Sequence, residues 1–465
     1  MAWQKLFGSI WKRALFLVAF SAGAVWVIHW VTPATSSASV FFAIGPGDSD
    51  VIPHQIVRAQ DDRLYLFAGL PYTNQIRAYR TTNPGLPTSS ADFAAAIQLA
   101  DTAEPLSVET AYDGNTIIHI LINNRAGQIK DYPFDITTNA FKSGITLATD
   151  GGTVIGDYIG TSGISGMVDK NGALQIAYWS NTNHILDRGY TYTSATNTLT
   201  PIGAFFQVDA AGSANHPVVA VSPLDNSLTV AWVSQADNPP QIRARTQASG
   251  GTWGAVASAS AAPVWTSAFF GINIDQGPSL LIDSNGKRHL TYIENYDGTG
   301  NYGRIHYVAN SGAGWVDQAL ATYSNDPALA LTSAGTMYII GHGYPNDPTC
   351  PSLDDLCAIK KNGATWDAPQ LFATHPVSQS FDSSPSVKWS AVGWNRPDTI
   401  EFLFFAAPYT SPMLYYGRIP DVPTAVTLES FQARTEWDRV GWIFVAGIAL
   451  AISAGTFVWM RKRIT

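Results

Sequence analysis

The chain has 465 residues, of which 13% are charged and 12% are aromatic, and it contains 39 glycines and 27 prolines. This composition is typical of many short strands joined by tight turns, and it excludes a helical bundle and a disordered chain. The formal net charge is −8, and no cluster of lysines and arginines occurs outside the two ends. We therefore expect no nucleic-acid partner, because a surface that follows phosphates needs concentrated positive charge.

The first predicted element is a membrane span at residues 14–31. Residues 1–13 carry three basic side chains, and the apolar stretch that follows is about 27 Å long as a helix, enough to cross a bilayer core. Basic residues before the span and none just after it predict a cytoplasmic N-terminus. The alternative is a cleavable signal peptide with a small-residue site near Ala38. The length of the apolar stretch favours an uncleaved anchor.

Seven copies of one strand pattern follow, and they predict an all-β, seven-bladed β-propeller of four-stranded blades over residues 37–420. Each copy is a turn with Asp, Asn or Gly followed by an alternating apolar strand, and successive copies lie 49 to 63 residues apart. Another apolar strand precedes each copy, and most are followed by a third strand with a polar start. Four strands and about 50 residues per unit match a propeller blade. The copies begin at Asp62, Asn115, Gly172, Asn226, Gly286, Gly335 and Asp398.

A fourth strand is visible in some units, and its absence from the last one predicts how the ring closes. In three units it begins after a glycine-containing turn at Trp253, Trp315 and Trp366. Phe93 and Phe141 are expected to take that place in the first two units. The last unit, from Ser384, shows only three strands, whereas residues 37–45 form a spare strand. We expect this spare strand to complete the last blade, which removes an open sheet edge.

The two cysteines, Cys350 and Cys357, lie close together in the loop DPTCPSLDDLC. This spacing predicts a local disulfide, which requires an oxidising compartment. Two free thiols are the alternative. Two cysteines without a CxxC spacing are too few for a zinc site unless histidines join them.

A second membrane span is predicted at residues 440–460, after a linker at 421–439. The basic tail at 461–465 belongs in the cytoplasm, so we expect a two-pass inner-membrane protein with both termini cytoplasmic and a periplasmic or extracellular propeller. A C-terminal sorting signal removed after export is the alternative, but no sorting motif precedes the span. Small residues at a spacing of four predict helix packing in the two spans, against the alternative of ordinary membrane-helix composition: Ala19 and Gly23, and Gly447, Ala451 and Gly455.

The Gly-x-x-Trp turns SGGTW, SGAGW and NGATW resemble degenerate Asp-box turns of the BNR-repeat, sialidase-like propeller superfamily. That family's motif is Ser-x-Asp-x-Gly-x-Thr-Trp, and all three turns lack its aspartate. The resemblance covers residues 40–420 in architecture but only three turns in motif. It implies the propeller fold and carries little about activity.

Sialidase activity, which the resemblance would imply, needs three converging arginines, a Tyr–Glu nucleophile pair and an acidic group. Arginines do recur on third strands, and Tyr292, Glu294 and Tyr296 lie close together in the sequence. However, the family's Phe-Arg-Ile-Pro element should precede the first blade, and here only GRIP occurs, at 417–420, after the last blade. Arginines that recur blade after blade are more simply structural, with packed stems and solvated heads.

The loops between second and third strands are the predicted binding surface. They share one face of a propeller and are rich in Tyr, Asn and charged residues, which suits protein or sugar recognition, although turns have this composition without a ligand. His54, His216 and His375 lie near the starts of first strands, but none has metal-ligand spacing, so we expect no metal and no cofactor. The candidate ligand- or partner-binding residues are Tyr72, Asn74, Arg125, His184, Asp187, Glu294, Tyr296, Asp297, Tyr344 and Tyr409.

These patterns predict a non-catalytic, membrane-anchored interaction module, a scaffolding or accessory subunit of a membrane or cell-surface complex. Its expected partners are the lipid bilayer and a membrane or cell-surface protein. The alternative is a membrane-bound, sialidase-like protein that binds or hydrolyses glycans.

Overall fold

The computed structural model describes thirteen stretches of the chain, and nearly all of them are strand or turn. One short 3-10 helix, Ser90–Asp92, is the exception among the named elements. The chain divides into two compact units, Met1–Asp421 and Val422–Thr465, and the second lies outside the described residues. The described residues are 40–46, 54–70, 73–153, 163–210, 212–264, 266–269, 272–275, 278–294, 303–324, 327–342, 355–374, 399–406 and 413–420.

The first described strand, β1, and the next three sheets follow the chain from its start. Each sheet is antiparallel, and its main strands pair in chain order. Blade 2 carries an extra short hairpin beside its second strand. The strands are β1 (Val40–Pro46); in blade 1 β2 (His54–Arg58), β3 (Leu64–Leu70), β4 (Gln75–Arg80) and β5 (Ile97–Ala100); in blade 2 β6 (Pro105–Tyr112), β7 (Ile117–Asn124), β8 (Ile129–Asp131), the hairpin strands β9 (Phe134–Asp135) and β10 (Ala140–Phe141), and β11 (Ile145–Ala148); and in blade 3 β12 (Ile164–Val168), β13 (Ala173–Trp179), β14 (Ile185–Thr193) and β15 (Thr198–Gln207).

Four further blades complete the described part, with a hairpin between blades 4 and 5. The seven-bladed prediction is confirmed, and blade 7 shows three strands within the described residues. The strands are, in blade 4, β16 (Ala214–Val221), β17 (Leu228–Ser234), β18 (Gln241–Gln247) and β19 (Ala257–Ser258); in the hairpin β20 (Thr266–Phe269) and β21 (Ile272–Asp275); in blade 5 β22 (Ser279–Ile282), β23 (Arg288–Glu294), β24 (Gly303–Asn310) and β25 (Trp315–Ser324); in blade 6 β26 (Ala328–Leu331), β27 (Met337–His342), β28 (Asp355–Asn362), β29 (Thr365–Trp366) and β30 (Gln370–Thr374); and in blade 7 β31 (Thr399–Ala406) and β32 (Met413–Pro420).

The turns between first and second strands explain the Asp, Asn and Gly that mark the repeat. Asp113, Asp169 and Asp283 each accept the backbone N–H groups two and four residues further on through Oδ1. Gly172 and Gly286 follow in the left-handed region, at φ 78° and 77°, where a side chain would be strained. The aspartate thus satisfies the turn's backbone donors, and the glycine allows its reversal. We call the side of the ring that bears these turns the turn face.

The core lies between blades rather than inside one layer. Within the described residues, seven clusters of buried apolar side chains occur, one for each pair of neighbouring blades, including blades 6 and 7 and blades 7 and 1. First strands of neighbouring blades also touch: Ser165 Oγ accepts the N–H of Val219 at 3.1 Å, and Ser279 Oγ accepts that of Leu329 at 3.0 Å. The ring is therefore continuous.

Ring closure by the first strand is confirmed. β1 pairs antiparallel with β32, with Val40 opposite Arg418 and Ala43 opposite Tyr415. The ring of Phe42 lies 5.3 Å from that of Tyr416 and 6.1 Å from that of Phe93, measured between centroids. A strand made before blade 1 therefore forms the outer edge of blade 7.

A buried ion pair ties blade 7 to blade 1. Arg58, at the end of β2, donates from Nε and Nη2 to the two carboxylate oxygens of Glu401 in β31, both at 2.5 Å. Tyr416 donates to the same carboxylate at 2.7 Å, and Arg58 Nη1 donates to the backbone oxygen of Asp62 in the first turn of blade 1. The side chains of Arg58 and Glu401 are only 4% and 9% exposed. Breaking such a pair leaves a charge buried alone.

Several sequence predictions lie outside the described residues. They are the two spans at 14–31 and 440–460 with their five small residues, the linker at 421–439, both tails and Cys350. In the part that the structure describes, no helix is long and apolar enough to cross a membrane. Cys357 is buried in β28 and is not a free thiol, and its pairing with Cys350 stays a prediction.

Candidate functional site

The face opposite the turn face carries the loops between second and third strands and the linkers between blades. We call it the loop face. Its loops and linkers are joined by backbone hydrogen bonds through blades 1 to 4. The bonds run from Asp101 N to Asn74 O, Arg125 N to Glu104 O, Gly151 N to Gly127 O, Asn181 N to Asp150 O, Ala214 N to Asn183 O, Gln235 N to Ser213 O and Val264 N to Pro240 O. This part of the surface is therefore held as a rigid scaffold.

The predicted binding residues divide into those that the structure describes and those that it does not. Asn74 is exposed in a left-handed conformation, at φ 52°, and Arg125 is 40% exposed and paired with Glu104. His184, Asp187 and Glu294 are described below. Five predicted residues lie outside the described stretches: Tyr72, Tyr296, Asp297, Tyr344 and Tyr409.

His184 anchors a linker instead of standing free for a ligand. Its Nδ1 lies 2.9 Å from Oδ2 of Asp209, the aspartate that follows the fourth strand of blade 3. Asp209 also accepts the N–H of Ile185 at 2.7 Å and that of Gly212 at 2.9 Å. The carboxylate thus joins the loop of blade 3 to the linker that leads into blade 4.

Asp101, directly after the fourth strand of blade 1, is a second aspartate in a linker between blades, and sequence reasoning missed both. It accepts hydrogen bonds from Lys130 Nζ at 2.5 Å and from Tyr132 Oη at 2.6 Å, both in blade 2. Burial acts to raise the pKa of Asp101, but these two bonds, with those from Thr102 and Asn124, outweigh it and lower that pKa. The recurrence of aspartate within two residues of the end of a fourth strand was the available signal.

Blade 5 holds a buried chain of ionisable groups beneath the linker from blade 4. His306 Nδ1 lies 2.7 Å from Asp317 Oδ1, and its Nε2 lies 3.2 Å from Glu294 Oε2. Tyr292 donates to Asp317 Oδ2 at 2.5 Å, and the N–H of Ala261 in the linker donates to the same oxygen at 2.7 Å. Glu294, a predicted binding residue, is therefore part of an internal network, and His306 and Asp317 were not predicted.

Charges around His306 keep it protonated more readily than a free imidazole. Burial acts to lower the pKa of His306, but the hydrogen bonds and charges of Asp317 and Glu294 outweigh it, so that pKa is raised above 6.5. Burial, together with Asp317, raises the pKa of Tyr292 well above 10. A tyrosine nucleophile needs the opposite shift, so Tyr292 is not poised for attack.

Asp187 is the predicted residue with the most unusual environment. Its Oδ1 is buried without a hydrogen-bond partner, and burial raises the pKa of Asp187 to about 8. It lies directly opposite Ala177, which belongs to the cluster between blades 3 and 4, so its side chain faces blade 4. His216, in a bulge of the first strand of blade 4, has φ 51° and both ring nitrogens buried without partners, and burial lowers its pKa to about 4.

Three of the arginines on third strands, Arg188, Arg243 and Arg304, each contact their own blade. Arg188 donates to Gly203 O at 2.7 Å and lies over the ring of Phe205, and Arg243 donates to both oxygens of Asp237. Arg304 Nε lies 4.0 Å from Glu294 Oε2. They do not form one anion site among the described residues. The described residues also contain no group of three or more His, Cys, Asp or Glu side chains able to bind a metal.

Comparison with known proteins supplies no family. No known family matches the sequence, and no curated protein does. The fold is similar to the crystal structure of AofleA from Arthrobotrys oligospora, with 10% identity over 74% of this chain and 94% of that one, at a TM-score of 0.44. BBS1N in complex with ARL6DN matches with 8% identity over 82% and 98% of the two chains, at a TM-score of 0.45. A polysaccharide lyase, an ulvan lyase of family PL25, matches with 10% identity over 67% and 80%, at 0.44.

Matches this distant carry no argument about ligand or activity. The three Gly-x-x-Trp turns lie between the third and fourth strands of blades 4, 5 and 6, where Gln247 bridges to Trp253, Trp315 begins β25 and Trp366 ends β29. The likeness to Asp-box turns therefore remains a resemblance. The blade architecture itself rests on the observed strand pairing.

Proposed function

We propose that this protein is a non-catalytic interaction module, held outside the cytoplasmic membrane by two anchors and acting as a scaffolding or accessory subunit of a membrane or cell-surface complex. The observation that carries the proposal is that charged side chains of the described loop face pair with other groups of the fold. Arg125, His184 and Glu294, three of the predicted binding residues, are each paired internally. The charges of these three residues are already engaged within the fold, which preorganises this part of the face for recognition.

The glycan-hydrolysing alternative has less support. Its candidate nucleophile, Tyr292, is 1% exposed and hydrogen-bonded to Asp317 beneath a linker. Its candidate arginines belong to separate blades and contact separate partners. Both features are typical of structural groups, since a hydrolase needs its nucleophile and its anion-binding groups beside one open pocket.

Site-specific photocrosslinking tests the proposal with a control inside one blade. Asn183 is exposed on the loop face of blade 3, and Asn171 is exposed on its turn face. A photoreactive residue at 183 in the full-length protein, in its native membrane, is expected to crosslink one defined membrane or cell-surface protein. The same residue at 171 is not expected to capture that protein.

The partner should also co-purify with the chain in mild detergent, and charge substitutions beside 183 should weaken the association. Equal capture from 183 and 171 would contradict a specific loop-face interaction. Hydrolysis or saturable binding of sialylated glycans by the purified chain would favour the alternative. A chain fully released from membranes by alkaline carbonate would contradict the anchoring.

A further inference from the structure

Both ends of the propeller lie on the turn face. β1 begins at Val40, which pairs with Arg418, two residues before the end of β32 at Pro420. Thr399, the first residue of β31, pairs with Pro420. Two residues further along β31, Glu401 reaches Arg58, which also contacts Asp62 in the first turn of blade 1. The chain therefore enters and leaves the ring side by side, on the face that carries the turns.

This placement limits how far the turn face can stand from the predicted membrane. The first predicted span ends at residue 31, and residues 32–39 reach at most about 30 Å when fully extended. The entry point at Val40 is at the outer edge of blade 7. The loop face, on the opposite side of the ring, is then directed away from the bilayer.

Across the ring from blade 7, the turn face carries an exposed apolar side chain between lysines. Leu224, in the first turn of blade 4, is 60% exposed. Its carbonyl oxygen accepts a hydrogen bond from Lys170 Nζ of blade 3 at 3.2 Å, and its side chain lies over Gly286 of blade 5. Lys287 follows Gly286. We call Lys170, Leu224 and Lys287 the turn-face patch.

The acidic residues near the patch are folded into the turns. Asp169 and Asp283 each accept two backbone N–H groups through Oδ1, and their Oδ2 atoms lie 3.0 Å from Gln175 Nε2 and 3.3 Å from His289 Nε2. Asp225 accepts the N–H of Ser227. Lysine stems can lie along an apolar surface while their ammonium groups reach polar headgroups, and the carbonyl oxygen that Lys170 Nζ contacts belongs to the exposed Leu224. A leucine flanked by such lysines suits the boundary between headgroups and acyl chains.

We propose that the turn-face patch docks on the bilayer in which the chain is anchored, so that the propeller lies with its turn face on the membrane and its loop face outward. The tether at blade 7 and the patch on blades 3 to 5 are on opposite sides of the ring. Together they hold the face at two separate places, which a tether alone does not. The proposal rests on the anchoring described under Proposed function, and it assigns that module an orientation.

Lipid quenching of a fluorescent label tests the orientation in the full-length protein. Asn171→Cys and Asn183→Cys each receive one environment-sensitive dye, and the protein is reconstituted in nanodiscs with quencher-labelled lipid headgroups. The chain without either substitution, treated with the same dye, measures the background labelling of Cys350 and Cys357. We expect several-fold stronger quenching at 171 than at 183, although both positions belong to blade 3.

The substitution Leu224→Asp separates docking from tethering. Added to Asn171→Cys, it is expected to abolish most of the quenching, and added to Asn183→Cys it should change nothing. Leu224→Met is the matched control that keeps an apolar side chain. Carbonate extraction measures anchoring separately: a retained protein with equal quenching at 171 and 183, or with quenching at 171 unaffected by Leu224→Asp, overturns the docking surface alone.

Discussion

At the scale of single residues, two ionisable groups of the loop face have raised pKa values for different reasons. Asp187 has no partner for one oxygen, and burial raises its pKa to about 8, whereas His306 lies between two carboxylates that outweigh burial and raise its pKa above the usual value. Asp187 was predicted from the sequence only in part, and His306 was not predicted. The place of Asp187 near a loop predicts a binding residue. Its burial, however, depends on strand register, which sets the face that each side chain occupies.

Asp187 should make the protein less stable as the pH rises. Its carboxyl has a pKa of about 8 when folded and an ordinary value, near 3.9, when unfolded, so between these values the folded chain holds a proton that the unfolded chain has lost. Stability therefore falls with pH across this window. Asp187→Asn is expected to stabilise the protein by on the order of 2 kcal/mol at pH 7 and by much less at pH 4.

Thermal unfolding at several pH values, comparing the native chain with Asp187→Asn, measures this difference. A variant that keeps the native pH slope between pH 4 and 8 would show that Asp187 is hydrated or paired in solution. The paired residue Asp209, which accepts three hydrogen bonds, is the control. Asp209→Asn should destabilise the protein at pH 7 because it weakens those bonds.

His306 should show the reverse dependence. Because its folded pKa is raised, its stabilising contribution is complete below the unfolded value near 6.5 and is lost as the pH rises through the raised value. His306→Gln is expected to cost about 2 kcal/mol at pH 5.5, the size of hydrogen bonds to charged groups, and less at higher pH. Chemical unfolding of the two proteins across this range measures the loss.

His289, in the neighbouring strand, provides a matched comparison. Burial, its largest influence, lowers the pKa of His289 despite the nearby Asp283 carboxylate. His289→Gln should therefore not lose its effect as the pH rises from 5.5 to 8. Parallel pH profiles for the two histidine variants would refute the role given to the carboxylates around His306.

At the scale of elements, the sequence predicted the long second strands and the closing strand, because their apolar alternation survives in every blade. It missed the hairpin β9–β10, the hairpin β20–β21 and the short strand β29. Each of these strands has four residues or fewer. Elements this short carry too few positions for a period of two to be visible. The sequence also placed Phe141 at the start of a fourth strand, whereas it lies in β10 and the fourth strand follows at Ile145.

Closure of the ring should depend on the ion pair between β2 and β31. Arg58→Met removes the partner of a carboxylate whose side chain is 9% exposed, so we expect a loss of about 3–5 kcal/mol of unfolding free energy. Adding Glu401→Gln should restore part of it, because the buried charge is then gone. Denaturant unfolding of the single and double variants measures both changes.

Arg63 is the control in the same turn. Its ion pair with Asp61 is at 3.0 Å, but the two side chains are 30% and 27% exposed. Arg63→Met should therefore cost no more than about 1 kcal/mol. Equal losses for Arg58→Met and Arg63→Met would mean that the closure pair contributes no more than an exposed one.

At the scale of the whole molecule, the blade count followed from repeat spacing alone, and the seven clusters between blades explain why. Each blade buries one apolar face against the next, so every repeat must keep the same alternation. The binding surface could not be predicted in the same way. Loop residues such as Asn74 and His184 are not constrained by the period, and their partners come from neighbouring linkers.

The predicted topology has both termini in the cytoplasm, because basic residues precede the first span with none just after it, and three basic residues at 461–463 directly follow the second. Protease added to intact cells or spheroplasts should digest the propeller and spare tags placed before Met1 and after Thr465. Cleavage of either tag in sealed cells would reverse the orientation of the corresponding span. Tags cleaved only after detergent is added are the positive control for protease activity.

The small residues of the second predicted span should support helix packing. Gly447→Leu with Gly455→Leu is expected to weaken association with a neighbouring helix by about 1 kcal/mol, since close backbone approach replaces the hydrophobic effect in lipid. Crosslinking between spans, in the native chain and in the variant, measures this. The matched control is Leu450→Ile, and crosslinks that persist unchanged in the double variant would leave the spacing without a packing role.

The closing strand also fixes an order of events during synthesis. β1 is made first, yet its partner β32 is among the last segments of the propeller to leave the ribosome. At ordinary rates of translation, β1 is synthesised on the order of tens of seconds before β32. Throughout that time the apolar segment VFFAIGP is a strand without a neighbour, a form that readily pairs with other chains. The nascent protein is therefore most vulnerable to misassembly before its final blade exists, and chaperone capture during translation is expected at its first strand.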